Sequence, residues 1–570
     1  MSIYQEAPVS AAESRVAGPV DSPLREETIF ELLQGAMAAH PDREALIFPE
    51  HGLRLTYAEF GAAVDRLATG LLNLGITRGD RVGIWSPNRP EWVLTQFATA
   101  RICAVLVNVN PAYRVGELEY ALRHVGVRAL VLADRFKSSD YLGMIRQLAP
   151  ELDTAQPGAL MAERLPDLRM VIRMGDGTDI PGMLNFAEIA ATPSDTARLD
   201  RISAVLSPDD AINIQFTSGT TGLPKGATLS HRNIVNNGHF VTRTMGFTPE
   251  DRLCIPVPLY HCFGMVMGVL GSVSKGATMV FPGEGFDPEQ VLTAIAAERC
   301  TALYGVPTMF SAMLDTERFH HHDLSSLRTG IMAGAPCPIE VMKRVVSQMH
   351  MAEVTIAYGM TETSPVSFQS HTDDPLEKRV TTVGRIHPHL EVKLIDGEGQ
   401  TVPVGTTGQL CTRGYSVMKG YWNEPKKTAE SVDAEGWMQT GDLAVIDDEG
   451  FCNIVGRVKD MLIRGGENIY PREIEEYLFQ HPAVQLVQVF GVPDEKYGEE
   501  VAAWIVLKPG ISATEEDIRS FAKGLMAHYK VPRYVRFRPE LPMTVTGKAQ
   551  KFVMRDAMIE ELGLSEIKTA

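Results

Sequence analysis

Apolar positions along the chain switch repeatedly between two spacings. The stretch 29–40 reads as a helix, and Thr56-Tyr57-Ala58-Glu59 after it has the form of a capping box. Phe60, Val64, Leu67, Leu71 and Leu74 then follow at steps of three and four, which puts one apolar stripe on a long helix. Short apolar or β-branched runs at 81–85, 104–109 and 129–133 read as strands, separated by helical patterns at 92–100 and 117–124. Strands alternating with helices predict a parallel, doubly wound sheet. After an irregular stretch near 150–200 the alternation resumes, with strands expected at 211–216, 278–281, 302–306, 329–333 and 354–358.

From about residue 382 the texture changes to short strands punctuated by glycine, such as 391–396 and 409–412, which predicts a small β subdomain. Beyond Gly456-Arg457-Val458-Lys459-Asp460 lies an α+β pattern with strands at 485–492 and 501–507. A helix from Thr514 carries Ile518, Phe521 and Leu525 on one side. The fold class is therefore α/β: a large multi-sheet N-terminal domain with doubly wound sheets and a small β subdomain, plus a small α+β C-terminal domain. The expected division is a disordered tail at 1–25, a large domain at 26–456, a boundary at 457–460 and a small domain at 461–570.

Composition narrows the function more than the fold. A chain of 570 residues exceeds one ordinary core, which agrees with more than one domain. A net charge of −17 argues against nucleic acid and against anionic membrane bound by bulk charge. The run 263–273 is too short to span a bilayer, and the first residues, with Glu6 and Glu13, resemble neither a secretory nor a transit peptide. Seven scattered cysteines without C-x-x-C spacing point to a reducing compartment and no zinc site. The expected location is cytoplasmic. Oligomeric state is not legible, and a homodimer stays open.

The most chemically loaded stretch is Thr217-Ser218-Gly219-Thr220-Thr221-Gly222-Leu223-Pro224-Lys225-Gly226, behind the alternating Ile212, Ile214 and Phe216. The apolar run predicts a strand that delivers a loop to the edge of a sheet, with a helix-like segment following. Glycines let backbone amides turn toward one point, hydroxyls add donors, and Lys225 adds a mobile positive charge, so the loop fits a polyphosphate. It is not the Walker pattern, because no Ser or Thr follows the lysine. The order resembles instead the phosphate loop of the adenylate-forming (AMP-binding) superfamily, which includes acyl- and aryl-CoA synthetases, adenylation domains and luciferases. Further stretches match that family in its order: Ala333-Gly334-Ala335-Pro336, Tyr358-Gly359-Met360-Thr361-Glu362, Thr440-Gly441-Asp442, Gly456-Arg457, Gly465-Gly466-Glu467-Asn468 and Thr546-Gly547-Lys548. The resemblance is nearest to medium-chain fatty acyl-CoA synthetases.

That resemblance implies ATP and coenzyme A as co-substrates, a fatty acid as the acyl donor and Mg²⁺ as cofactor. Lys548 would be the catalytic lysine between carboxylate and α-phosphate, Thr361 would reach the α-phosphate, and Glu362 would hold Mg²⁺, a hard cation suited to carboxylate and phosphate oxygens. Thr217, Ser218, Gly219, Thr220, Thr221, Gly222 and Lys225 would hold the phosphates. Gly334, Ala335, Pro336, Tyr358 and Gly359 would line the adenine, and Asp442 with Arg457 would take the ribose. The small C-terminal domain would be mobile about a hinge at 457–460 with Lys459 as the hinge residue, and Gly465, Gly466 and Glu467 would line the coenzyme A tunnel. His261, Cys262, Phe263, Gly264 and Met265 stand where family members carry the wall or gate of the acyl tunnel. His261 either lines that tunnel or packs in the core, and Cys262 reads as packing, because the chemistry needs no covalent enzyme intermediate. His320-His321-His322 reads as a solvated loop. Two alternatives remain open: an aryl- or short sulfur-containing acid CoA ligase, and a non-catalytic nucleotide-binding or carrier-interaction module.

Overall fold

The computed structural model describes residues 13–175, 179–217, 224–335, 337–464, 467–523, 525–543 and 549–564. The capping box forms as read: Thr56 accepts from the Glu59 amide, Glu59 accepts from the Thr56 amide, and the helix Tyr57–Asn73 follows. Phe60, Val64, Leu67 and Leu71 lie in the core, with Leu74 packed at its margin. A second box, Thr28 with Glu31, starts the helix Ile29–Ala39.

Two large sheets carry the N-terminal domain. One runs, in spatial order, through Leu184–Asn185, Met170–Arg173, Ala129–Leu132, Arg81–Trp85, Val105–Asn108, Ala211–Thr217, Lys225–Ser230 and Gly420–Tyr421. It is parallel as far as Ala211–Thr217 and antiparallel beyond. The other is parallel from Glu44–Phe48 across Thr278–Val280, Arg252–Cys254, Ala302–Gly305 and Thr329–Ala333 to Glu353–Gly359, with antiparallel strands at both edges. The helix His231–Thr244 and the π-helix Phe263–Leu270 pack against each other in the core. Asn237 on the former exchanges two hydrogen bonds with the backbone of Val366 in the second sheet. An antiparallel sheet of Leu390–Ile395, Gly408–Gly414, Met438–Ile446 and Cys452–Arg457 forms the β subdomain. A smaller C-terminal sheet, centred on Val484–Asp494 and Gly498–Leu507, completes the mixed α/β architecture.

Four expectations are corrected. Residues 13–25 are not a loose tail: Arg15–Ala17 adds an edge strand to Leu390–Ile395, Val16 is buried, and Ser14 bonds the Val402 and Pro403 carbonyls. A terminus that buries an apolar side chain and pairs its backbone is held like any strand. The irregular stretch near 150–200 contains a core strand, Met170–Arg173, and the helices Phe186–Ala190 and Thr196–Ser203. Four residues buried on both faces leave too short a run for periodicity to register. The glycine loop does not leave a sheet edge for a helix. Its flanks, Ala211–Thr217 and Lys225–Ser230, pair antiparallel, the first also pairs with Val105–Asn108, and the helix starts only at His231. Finally, Leu525 falls beyond the helix Glu515–Lys523 and is 41% exposed.

Candidate functional site

The site gathers where three chain segments meet. The first is the stem of the glycine loop, with half-buried Thr217 closing one strand and Lys225 opening the next. Ser218, Gly219, Thr220, Thr221 and Gly222 lie outside the described residues.

The second is the turn after Glu353–Gly359. Gly359 is required there, because a Cβ would stand 1.8 Å from the Pro365 carbonyl oxygen. The Met360 amide donates to that carbonyl at 3.0 Å and the Thr363 hydroxyl donates to it at 2.6 Å, which locks the one-turn helix Thr361–Thr363. Thr361 is half-buried and Glu362 only 5% exposed.

The third segment was not singled out from sequence. The short strand Gly420–Tyr421 pairs with Lys225–Ser230, and the Tyr421 hydroxyl donates to Glu362 Oε1 at 2.9 Å. Lys225 Nζ donates to the same phenol oxygen at 3.2 Å and lies 4.3 Å from the ring centroid, within cation–π range. Burial first and the Glu362 carboxylate second raise the Tyr421 phenol above its ordinary range, so it stays a donor. Glu362 Oε2 accepts no hydrogen bond from a described residue.

A second carboxylate sits on the β subdomain. Asp442 and Arg457 face each other across Met438–Ile446 and Cys452–Arg457, and Arg457 Nε donates to Asp442 Oδ1 at 3.0 Å. The Tyr358 hydroxyl, from the strand that leads to Glu362, donates to Asp442 Oδ2 at 2.5 Å. Burial, then Asp442, holds the Tyr358 phenol well above its usual range. Its ring has Phe368 at 6.2 Å. Each Asp442 oxygen has one donor and keeps a lone pair, enough for two neighbouring hydroxyls. Gly334 (φ +87°) and Ala335 follow the neighbouring strand Thr329–Ala333, and Pro336 lies outside the described residues.

The segment from His261 to Met265 comes up to the same strand as the glycine loop. Cys262 is buried, and its thiol donates to Gln215 Oε1 at 3.2 Å. Burial, with the Glu362 carboxylate adding to it, pushes that thiol up to about 12. The Met265 sulfur accepts from Gln215 at 3.0 Å and Asn108 at 3.1 Å, and Asn213 bonds both amides. Phe263 stacks on Tyr304, Gly264 has no room for a Cβ beside the Pro258 carbonyl, and half-buried His261 accepts from the Phe263 amide. The sequence signal for this network was visible: Asn213 and Gln215 alternate with Ile212, Ile214 and Phe216, so the strand carries amides on one buried face.

The remaining sequence-derived residues lie outside these contacts or outside the described residues. Lys459 is exposed in the turn where the Asp460 and Met461 amides both donate to the Arg457 carbonyl. Glu467 is exposed at the start of Glu467–Ile469, while Gly465, Gly466 and Lys548 lie outside the described residues. His320 and His321 are exposed, and His322 bonds Glu289. Among the described residues no helix is long and apolar enough to cross a membrane.

Comparison with known proteins shows the chain's family. A family model described as AMP-binding enzyme matches residues 33–422, and one described as AMP-binding enzyme C-terminal domain matches 473–548. YngI of Bacillus subtilis (strain 168), provisionally named an acyl-CoA synthetase, is 49% identical over 545 residues, covering 95% of this chain and 99% of its own. The mitochondrial medium-chain acyl-CoA ligase ACSF2 of Bos taurus is 46% identical over 97% of this chain and 91% of its own. The crystal structure of the anthranilate CoA ligase AuaEII in complex with anthranoyl-AMP superimposes with a TM-score of 0.83 at 27% identity, over 95% of this chain and 99% of that one.

Proposed function

This chain belongs to the AMP-binding enzyme family, and from that premise we propose that it is an AMP-forming acid–thiol ligase acting on medium-chain fatty acids. The carboxylate of the acid attacks the α-phosphorus of ATP, pyrophosphate leaves, and an acyl-adenylate forms. The thiol of coenzyme A, losing its proton, then attacks the acyl carbonyl, and AMP leaves. The observation that carries the reading is the bonded chain Lys225–Tyr421–Glu362 beside the stem of the glycine loop, joined through residues 359–361 to Tyr358–Asp442–Arg457. A cation and a carboxylate at one end and a ribose-matched carboxylate at the other fit the two ends of a nucleotide.

In this reading Lys225, with Ser218, Gly219, Thr220, Thr221 and Gly222, holds the leaving phosphates, and Thr361 reaches the α-phosphate. Asp442 and Arg457 take the ribose, and the Tyr358 ring offers a face to the adenine. Glu362 fits Mg²⁺ by its chemistry: a carboxylate with one oxygen committed to a neutral donor keeps its charge for a hard cation. When bound, Mg²⁺ neutralises phosphate charge and polarises the α-phosphate. Lys548 stabilises the charge that shifts as carboxylate and phosphate meet. Rotation about Lys459 then withdraws Lys548 and brings Gly465, Gly466 and Glu467 to the thiol. The His261 to Met265 segment walls the acyl chain, and the name of the ACSF2 relative supports a medium length. Seven free cysteines support a reducing, cytoplasmic location.

The test is acid-dependent release of AMP and pyrophosphate over straight-chain acids from short to long and over aryl acids. A maximum at medium chain length is expected. A maximum on aryl acids would move the substrate, and undetectable pyrophosphate release with every acid tested would end the reading.

A further inference from the structure

Tyr421 belongs to none of the segments that the sequence pointed to, yet its phenol joins two of them. Lys225 comes from the stem of the glycine loop and Glu362 from the turn after another sheet's strand, 59 residues before Tyr421 in the chain. The phenol oxygen accepts from the ammonium at 3.2 Å while its proton goes to the carboxylate at 2.9 Å. The surrounding backbone fixes this position. Lys419 and Trp422 amides donate to the Thr228 and Gly226 carbonyls, at 2.9 and 2.8 Å, so residues 419–422 are bolted to the loop stem. The Met418 amide donates to the Glu362 carbonyl at 2.9 Å, which bolts the same segment to the turn. Gly420, at φ +136°, would bring a Cβ to 2.8 Å from Thr428 Cγ2, while Thr428 Oγ1 accepts from the Tyr421 amide at 2.9 Å.

We propose that Tyr421 is the positioning residue that keeps Lys225 and Glu362 from collapsing into a direct ion pair and aims the Glu362 carboxylate at the divalent cation that accompanies ATP. The physical reason is the dielectric. Glu362 is buried, and an ammonium free to touch it would bind far more strongly than in water and leave neither charge for the nucleotide. A phenol is the side chain that solves this, since one hydroxyl accepts from the cation and donates to the anion, and the chain of bonds polarises cooperatively. The ring face gives the lysine a second, weaker resting place, which it can leave for phosphate. The inference rests on reading Glu362 as the Mg²⁺ carboxylate.

The experiment measures binding without chemistry. Calorimetry on the full chain follows α,β-methylene-ATP, which cannot transfer its adenylyl group, as Mg²⁺ is titrated. Tyr421→Phe keeps the ring and removes the hydroxyl. The Mg²⁺ concentration for half-maximal binding is expected to rise about tenfold, affinity in EDTA is expected to fall as well because Lys225 turns to Glu362, and the melting temperature does not fall. Because Tyr421 acts through Glu362, the double variant with Glu362→Gln should show no larger Mg²⁺ shift than Glu362→Gln alone. Wild-type Mg²⁺ dependence in Tyr421→Phe, or shifts that multiply in the double variant, overturns the inference. If Glu362→Gln itself leaves the Mg²⁺ dependence untouched, the fault lies with the reading of Glu362 and both fall together.

Discussion

Glu362 and Asp442 are built alike and finished differently. Each is a carboxylate almost out of solvent, 5% and 6% exposed, and each accepts from a tyrosine hydroxyl, Tyr421 for the first and Tyr358 for the second. The difference is the second oxygen. At Asp442 it accepts directly from Arg457, so the negative charge already has a cation beside it. At Glu362 the bonded chain reaches a cation, Lys225, only through the phenol oxygen. A compensated carboxylate suits neutral hydroxyls such as those of a ribose, whereas one that keeps its charge suits a metal ion. On the proposed reading, two residues of the same chemistry acquire different ligands from one neighbour each.

If the two carboxylates divide a nucleotide between them, its α-phosphate falls in the middle. Lys225 then belongs to one end and Arg457 to the other, and the charge that shifts on adenylation is left to Lys548. Lys548→Ala should therefore have the largest effect, slowing acyl-adenylate formation about a thousandfold. Thioester formation from supplied acyl-adenylate should survive. Rapid-quench assays of the two half-reactions separate these outcomes, and equal loss of both would show that the residue belongs to neither end nor the middle.

Glu362→Gln should follow, with adenylation falling about a hundredfold and Mg²⁺ demand rising, since the amide keeps the shape and loses the charge. Asp442→Asn should cost less, about tenfold in ATP affinity at every Mg²⁺ concentration. Arg457 is 49% exposed and finds water when its partner is neutralised, so the loss in stability should stay near ~1 kcal/mol. Mg²⁺-dependent ATP binding by both variants decides the comparison. Were Asp442→Asn to shift Mg²⁺ demand and Glu362→Gln not, the assignment of ligands would have to be exchanged.

Both carboxylates were legible because each sits in a run of residues whose order carries meaning, Tyr358-Gly359-Met360-Thr361-Glu362 and Thr440-Gly441-Asp442. What finishes them was not equally legible. Arg457 could be found, since it lies across a strand pair from Asp442 only 15 residues on. Tyr421 could not: it reaches Lys225 from 196 residues away, through an antiparallel pairing that leaves no periodic trace in a two-residue strand. The fold shows the same divide. Elements with a cap or an apolar stripe were placed from local pattern, while Met170–Arg173 exists because strands on both sides pair with it and Arg15–Ala17 because a sheet edge accepts it.

Cys262 sharpens the comparison from the other side. It is a buried polar group close to the phosphate end, and it is neutral: burial and the Glu362 charge hold its thiol up at about 12, so at working pH it has almost no thiolate. Linkage gives the sign. A folded pKa raised above the ordinary thiol value means that the folded chain holds a proton the unfolded chain gives up, so stability from this group falls as pH rises above about 8.5. Cys262→Ser removes the acidic thiol and keeps a donor for Gln215 Oε1. The expected result is the smallest of the series: kcat within about twofold of wild type, a cost of about 1 kcal/mol for the more polar hydroxyl, and a shallower loss of stability above pH 9 in urea titrations. A collapse of adenylation with an unchanged melting temperature would mean that the thiol, rather than the charge on Glu362, does the chemistry at this end of the site.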